Sequence, residues 1–189
     1  RVLVTSSLDG SVRLWDPQNG SQIETFNYGT DVLDIDLSPN GSLVAAGRKD
    51  GFVSVINIDI RQNVYNYNFA RGPVSIVQFH PAGDWLAVGT KTGTVRLWKV
   101  MSGFLIPGTL HDAEVFNLAF SPDGKQIVSV SEDSTARLAR AETGRQTHVI
   151  NHPDWVEDVA FSPDSSWFVT VSDDKIVRVF DAESGQEKV

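Results

Sequence analysis

The chain has 189 residues, a length that at roughly 150 residues per domain fits one domain or a repeat array and not a multidomain enzyme. Apolar residues make up 41% and charged residues 21%; no run approaches the ~20 apolar residues of a membrane helix and no signal peptide is visible, so the chain reads as soluble and free of the membrane. Zero cysteines rule out disulfides, cysteine-zinc sites and thiol nucleophiles and leave the cytoplasm as the expected compartment, while 24 acidic residues against 16 basic ones, a net charge of −8, argue against a nucleic-acid partner.

Taken in chain order, the sequence is a succession of short apolar alternations separated by turn residues, the pattern of strands. A run around Thr5 is followed by Asp9, a run ending in Trp15-Asp16, an Asn19-Gly20 turn and a run at 22–26. Val32 to Leu37 then leads through Ser38-Pro39-Asn40-Gly41 into LVAAG at 43–47, Asp50, a run ending in Ile56-Asn57 and a run at 63–69. The same order returns from Val74 to Phe79 through His80-Pro81-Ala82-Gly83, WLAVGT at 85–90 and Trp98-Lys99 to a run at 104–107. It returns again from Val115 to Phe120 through Ser121-Pro122-Asp123-Gly124, IVSVS at 127–131 and Ala139-Arg140 to a run at 145–150. The last copy runs from Val156 to Phe161 through Ser162-Pro163-Asp164-Ser165, FVTVS at 168–172 and Phe180-Asp181 to 186–189. The proline turns are 42, 41 and 41 residues apart, and Asp9, Asp50, Thr92, Asp133 and Asp174 each stand six residues before Trp15, Ile56, Trp98, Ala139 and Phe180. Two independent series with one period mark a repeat, read here as units 1–30 (partial), 31–72, 73–112, 113–153 and 154–189, each with strands A to D in order.

These proline turns, the Asp before strand C and the Trp-Asp at its end closely resemble the WD-repeat family of β-propellers. The resemblance implies an all-β fold of four-stranded antiparallel blades: four full blades and one lacking its inner strand A, about 4.75 repeats of a ring that in the family closes with about seven. It therefore implies an excised arc whose blade edges need the remaining blades or a second chain to cover them. The family's hydrogen-bonded tetrad maps here onto Thr5, Asp9 and Trp15 in the first unit, His111, Ser129 and Asp133 in the fourth, and His152, Thr170 and Asp174 in the fifth. The second and third units offer only Asp50 and Trp98, so they are expected to depend on apolar packing and to be softer.

Family members usually bind peptides or partner domains on the face formed by the D–A and B–C loops. The resemblance assigns Tyr28, Asp31, Arg71, Asp112, Glu114, Asp154 and Trp155 to that face from the D–A loops, and Arg48, Lys49, Lys91, Glu132 and Asp173 from the B–C loops. Trp155 is the candidate anchor, and the basic residues of units two and three against the acidic ones of units four and five suggest a bipolar face. Tyr65, Tyr67 and Phe69 alternate along strand D of the second unit, and packing on the next blade is the simpler account of that stripe. Asp34, Asn117 and Asp158 could approach a central channel as oxygen ligands for a cation, although structural hydrogen bonding explains them more simply. Ser129, His111 and Asp133 superficially supply a catalytic triad, but the trio recurs as Thr170, His152 and Asp174 at the period of the fold, which is the mark of scaffolding. No cofactor, metal or enzymatic activity is expected. The function expected is a scaffold for a protein or peptide partner; the alternatives are a regulatory segment of a larger signalling protein and a propeller enzyme with a channel site.

Overall fold

The computed structural model describes residues 2–69 and 72–188, and every regular element in them is a β-strand. β1 (Leu3–Ser6), β2 (Ser11–Trp15) and β3 (Gln22–Asn27) form a three-stranded sheet. Three four-stranded sheets follow: β4 (Val32–Leu37) to β5 (Leu43–Arg48), β6 (Phe52–Asn57) and β7 (Gln62–Asn68); β8 (Val74–Phe79) to β9 (Trp85–Thr90), β10 (Thr94–Lys99) and β11 (Phe104–Leu110); and β12 (Val115–Phe120) to β13 (Gln126–Ser131), β14 (Thr135–Arg140) and β15 (Gln146–Asn151). β16 (Val156–Phe161), β17 (Trp167–Ser172) and β18 (Val177–Asp181) make the last sheet, where the outer run is a single bridge between Phe180 and Glu187. All pairings are antiparallel and follow chain order, so each sheet is a blade. No helix among the described residues is long and apolar enough to cross a membrane.

The proline turns between strands A and B share one hydrogen-bond scheme. Ser38 Oγ accepts the Leu43 N–H at 2.9 Å and donates to Asn40 Oδ1 at 2.8 Å. Ser121 does the same with Gln126 N–H at 3.0 Å and Asp123 Oδ1 at 2.7 Å, and Ser162 with Trp167 N–H at 3.1 Å and Asp164 Oδ1 at 2.6 Å. A hydroxyl that donates and accepts at once, beside a carboxyl or amide oxygen two residues on, closes the turn without outside help. In the third blade His80 substitutes: Nδ1 accepts the Ala82 N–H at 3.0 Å, leaving Nε2 to donate to Gly124 O of the next blade at 2.8 Å.

Burial explains why strands B and C read as nearly continuous apolar runs while strand D alternates. Four or five successive residues of β5, β6, β9 and β13 are buried because neighbouring blades cover both faces, whereas β7 and β15 have one side in solvent. Val128, Val130, Ala136 and Leu138 of the fourth blade pack on Val156, Val159, Phe168 and Phe180 of the fifth. Trp98 of the third blade is 1% exposed and is ringed by Tyr65, Tyr67 and Phe69, with centroids 6.0, 5.6 and 6.1 Å away. The aromatic stripe of β7 thus packs on the next blade; burying side chains of this size contributes roughly 1.5–3 kcal/mol each. Blades approach closely: a Cβ on Gly89 would lie 2.5 Å from Ile76 Cγ2 and 2.9 Å from Val115 Cγ1.

The innermost strands are stitched to one another by polar side chains. Asp34 Oδ2 accepts the Val77 N–H at 2.8 Å and Asp36 Oδ2 the Phe79 N–H at 2.6 Å, joining the second blade to the third. Gln78 Oε1 accepts the Phe120 N–H at 3.0 Å and Asn117 Nδ2 donates to Asp158 Oδ1 at 2.5 Å, continuing the seam through the fourth blade to the fifth. Of the groups considered for a cation, Asp34 and Asp158 are therefore engaged in joining blades and Asn117 Oδ1 accepts the Leu118 N–H at 2.7 Å, and no three metal-competent His, Asp or Glu groups cluster among the described residues. Burial pushes the Asp34 carboxyl up to about 6, against the opposing effect of the Val77 N–H, and raises Asp36 as well. Because the folded chain holds the Asp34 proton more tightly than the unfolded chain, this stabilising contribution is present in full below the ordinary carboxylate value and is lost as the pH rises through about 6. Asp34→Asn is expected to raise the melting temperature at pH 7.5 and to lose most of that advantage at pH 4, as read by calorimetry at the two pH values.

Candidate partner-binding face

At one end of the arc, blades two to five join their two loops by the same backbone bond. The residue after strand B donates its N–H to the carbonyl of the second residue of the loop-to-strand-A junction: Lys49 to Asp31 at 3.0 Å, Lys91 to Pro73 at 2.9 Å, Glu132 to Glu114 at 3.0 Å and Asp173 to Trp155 at 2.9 Å. This bond brings D–A and B–C loop residues into one rim.

The polar groups beneath the rim differ from blade to blade. In the first, Trp15 Nε1 donates to Thr5 Oγ1 at 2.8 Å while Asp9 pairs with Arg13 at 2.7 Å. In the fourth, His111 Nδ1 lies 3.0 Å from Asp133 Oδ2 and Nε2 lies 2.7 Å from Ser129 Oγ. Burial holds the His111 imidazole below its ordinary value in spite of the Asp133 charge. Burial pushes Asp133 upward, but hydrogen bonds from Thr135 and the Asp112 N–H, and then His111, outweigh it and hold the carboxyl at about 2. In the fifth blade His152 Nε2 meets Thr170 Oγ1 at 2.9 Å, but its buried Nδ1 has no partner, because Asp174 pairs with Arg178 at 2.7 Å instead. The Ser129, His111, Asp133 set has the connectivity of a catalytic triad, yet Ser129 is 2% exposed and its hydroxyl is shared with Thr109 at 3.0 Å. A nucleophile needs access to a substrate, and these hydroxyls are inside the blade.

The second blade departs from the expected dependence on apolar packing. Arg48, placed by the sequence on the exposed face, is 8% exposed and points inward. Its guanidinium pairs with Asp50, donates to Ser54 Oγ at 3.1 Å and lies 4.8 Å from the Tyr28 ring and 5.1 Å from the Phe52 ring. Tyr28 is half-buried beside it, with its hydroxyl donating to Asn63 Oδ1 at 2.8 Å; burial raises its pKa. In the third blade Trp98 does follow the apolar expectation, and its Nε1 has no hydrogen-bond partner.

On the rim itself, the two lysines assigned to the face are spent internally. Lys49 reaches Asp31 at 2.8 Å and Lys91 crosses to Glu114 of the next blade at 2.7 Å. Arg71 lies outside the described residues. Asp112, Glu132, Asp154 and Asp173 have no ion pair among the described residues, so the bipolar face becomes an acidic one over blades four and five. There Trp155 is 43% exposed and its ring meets Phe116 with centroids 6.2 Å apart. Phe116 escaped the sequence reading, although an aromatic at a position that the strand A pattern leaves free was the available signal.

A succession of three- and four-stranded antiparallel blades around polar inner strands defines a β-propeller arc. The WD domain, G-beta repeat model matches residues 1–16, 107–138 and 144–181, and the anaphase-promoting complex subunit 4 WD40 domain model matches residues 35–110. The chain belongs to the WD-repeat family. It is 27% identical to the U3 small nucleolar RNA-associated protein 21 homolog of Schizosaccharomyces pombe over 66% of its length and 14% of that protein's. It is 33% identical to periodic tryptophan protein 2 of Arabidopsis thaliana over 65% of its length and 14% of that protein's. It is 27% identical to the COMPASS component SWD3 of Saccharomyces cerevisiae over 56% of its length and 36% of that protein's. The chain thus matches well under half the length of each of these relatives.

The unequal networks predict unequal sensitivity to loss of the histidine. His111→Ala removes the bonds to both Ser129 and Asp133 and should cost about 1–3 kcal/mol in urea unfolding, whereas His152→Ala, which gives up one hydrogen bond and removes an unpartnered nitrogen, should cost less.

Proposed function

We propose that this segment is a non-catalytic interaction scaffold that presents the D–A and B–C loop face to a protein or peptide partner. The observation that carries the proposal is the exposed Trp155 against Phe116 on a rim whose other prominent side chains are charged. Large aromatics at the centre of a polar surround are the side chains that dominate binding energy at protein interfaces. The charge of the rim supports a protein partner over a nucleic acid, whose phosphates would meet uncompensated carboxylates. The burial of Ser129 and His111 supports a structural use of the triad-like set. The printed name of one relative, a COMPASS component, describes a protein that works within an assembly, in keeping with this reading.

A photo-crosslinking residue placed at Trp155, with a control at Gln18 in the strand C–D turn at the opposite end of the blades, tests the proposal in the cells that make the protein. Protein adducts from Trp155 above those from Gln18 are expected. No adduct from Trp155, or an equal yield from Gln18, would sink it.

A further inference from the structure

The acidic rim over blades four and five has a composition that selects its ligand. Five carboxylates there, Asp112, Glu132, Asp154, Glu157 and Asp173, have no cationic partner among the described residues, whereas Asp31 of the second blade and Glu114 of the fourth are neutralised by Lys49 and Lys91 at 2.8 and 2.7 Å. Three of the unpaired acids lie next to Trp155 along the chain or across the loop. Asp154 and Glu157 flank Trp155 in sequence, and the Asp173 N–H is held on the Trp155 carbonyl at 2.9 Å. The Glu157 carboxyl is raised above its ordinary value by burial and then by the charge of Asp173. Lys175 is the cation of the same loop as Asp173; it is exposed and forms no ion pair there.

Carboxylates without ion-pair partners beside an exposed tryptophan backed by a half-buried phenylalanine leave room for one further component, a cation. The geometry points to a site for a basic segment of a partner protein, with one arginine or lysine side chain laid over the Phe116–Trp155 pair and its charge met by Glu157 and Asp173. Rings and carboxylates recognise such a group in different ways. The ring faces attract the cation through their quadrupole and cover its aliphatic stem, and the carboxylates accept its N–H groups. With the centroids only 6.2 Å apart and the planes inclined at 58°, the rings form an open platform, so the cation rests on the pair and does not pass between its members. The planar guanidinium of arginine suits a platform beside two carboxylates better than the compact ammonium of lysine. The excess of acid also favours rapid, salt-sensitive capture of a basic chain.

This inference rests on the reading of the rim as the interaction face, and it is tested with defined probes. Three fluorescein-labelled Gly-Ser decapeptides carrying a central Arg-Arg, Lys-Lys or Glu-Glu are titrated by anisotropy against the protein as it exists, at two salt concentrations. The Arg-Arg peptide is expected to bind most tightly, Lys-Lys more weakly and Glu-Glu not measurably, with affinity falling as salt rises. Trp155→Ala and the double variant Glu157→Gln/Asp173→Asn should each weaken Arg-Arg binding by about tenfold or more, at unchanged melting temperature. Equal binding of the Glu-Glu peptide, or Arg-Arg binding that neither variant weakens, would overturn the proposal. If Trp155 crosslinks protein partners but the Arg-Arg peptide does not bind, the basic-segment inference fails and the interaction face stands; if neither is seen, both fail.

Discussion

Every blade in this chain is a sheet of three or four short strands whose two faces are both apolar near the centre, and no such sheet is stable until its neighbours cover it. Mutual covering is the constraint from which the remaining features follow. It demands glycine at position 89, where the chains of adjacent blades leave no room for a Cβ. It also places the polar side chains of the inner strands where a neighbour's backbone N–H groups would otherwise be stranded. Asp34, Asp36 and Gln78 each satisfy such a donor across a blade boundary, so the inner seam is held by directional bonds while the outer parts are held by packing.

Above that common frame the blades have different interiors. The fourth closes a hydrogen-bonded set around His111, the second replaces it with a buried arginine sandwiched by aromatic rings, and the third relies on Trp98 within a cage of tyrosines and phenylalanine. Each arrangement answers the same need, which is to anchor the loops above strands B and C. They do so at different cost, since a buried guanidinium must keep its carboxylate partner, whereas an aromatic cage must give up only one indole hydrogen bond.

The fold was legible because it is written in residues with local jobs: the Ser-Pro-Asp-Gly turns carry their own hydrogen bonds, and the alternation of strand D against the continuous apolar runs of strands B and C reflects burial directly. The face was legible only in part. Lys49 and Lys91 are 18 and 23 residues from the carboxylates that neutralise them, and Arg48 turns inward because Asp50, Ser54 and Asn66 converge on it from two strands. Pairings of this kind depend on which side chains the sheet brings together, and a linear reading of charge cannot see them. Phe116 was hidden for the related reason that an apolar residue on a strand reads as core until the blade opposite is in place.

The backbone bond that ties each B–C loop to the following strand A has an evolutionary corollary. It uses main-chain atoms alone, so the acceptor residue is free to be any type, and the donor any type but proline, without loosening the rim. Asp31 with Lys49, Glu114 with Glu132 and Trp155 with Asp173 occupy equivalent places with unrelated chemistries. The rim therefore carries two positions per blade whose side chains can change one blade at a time while the core that supports them is left untouched.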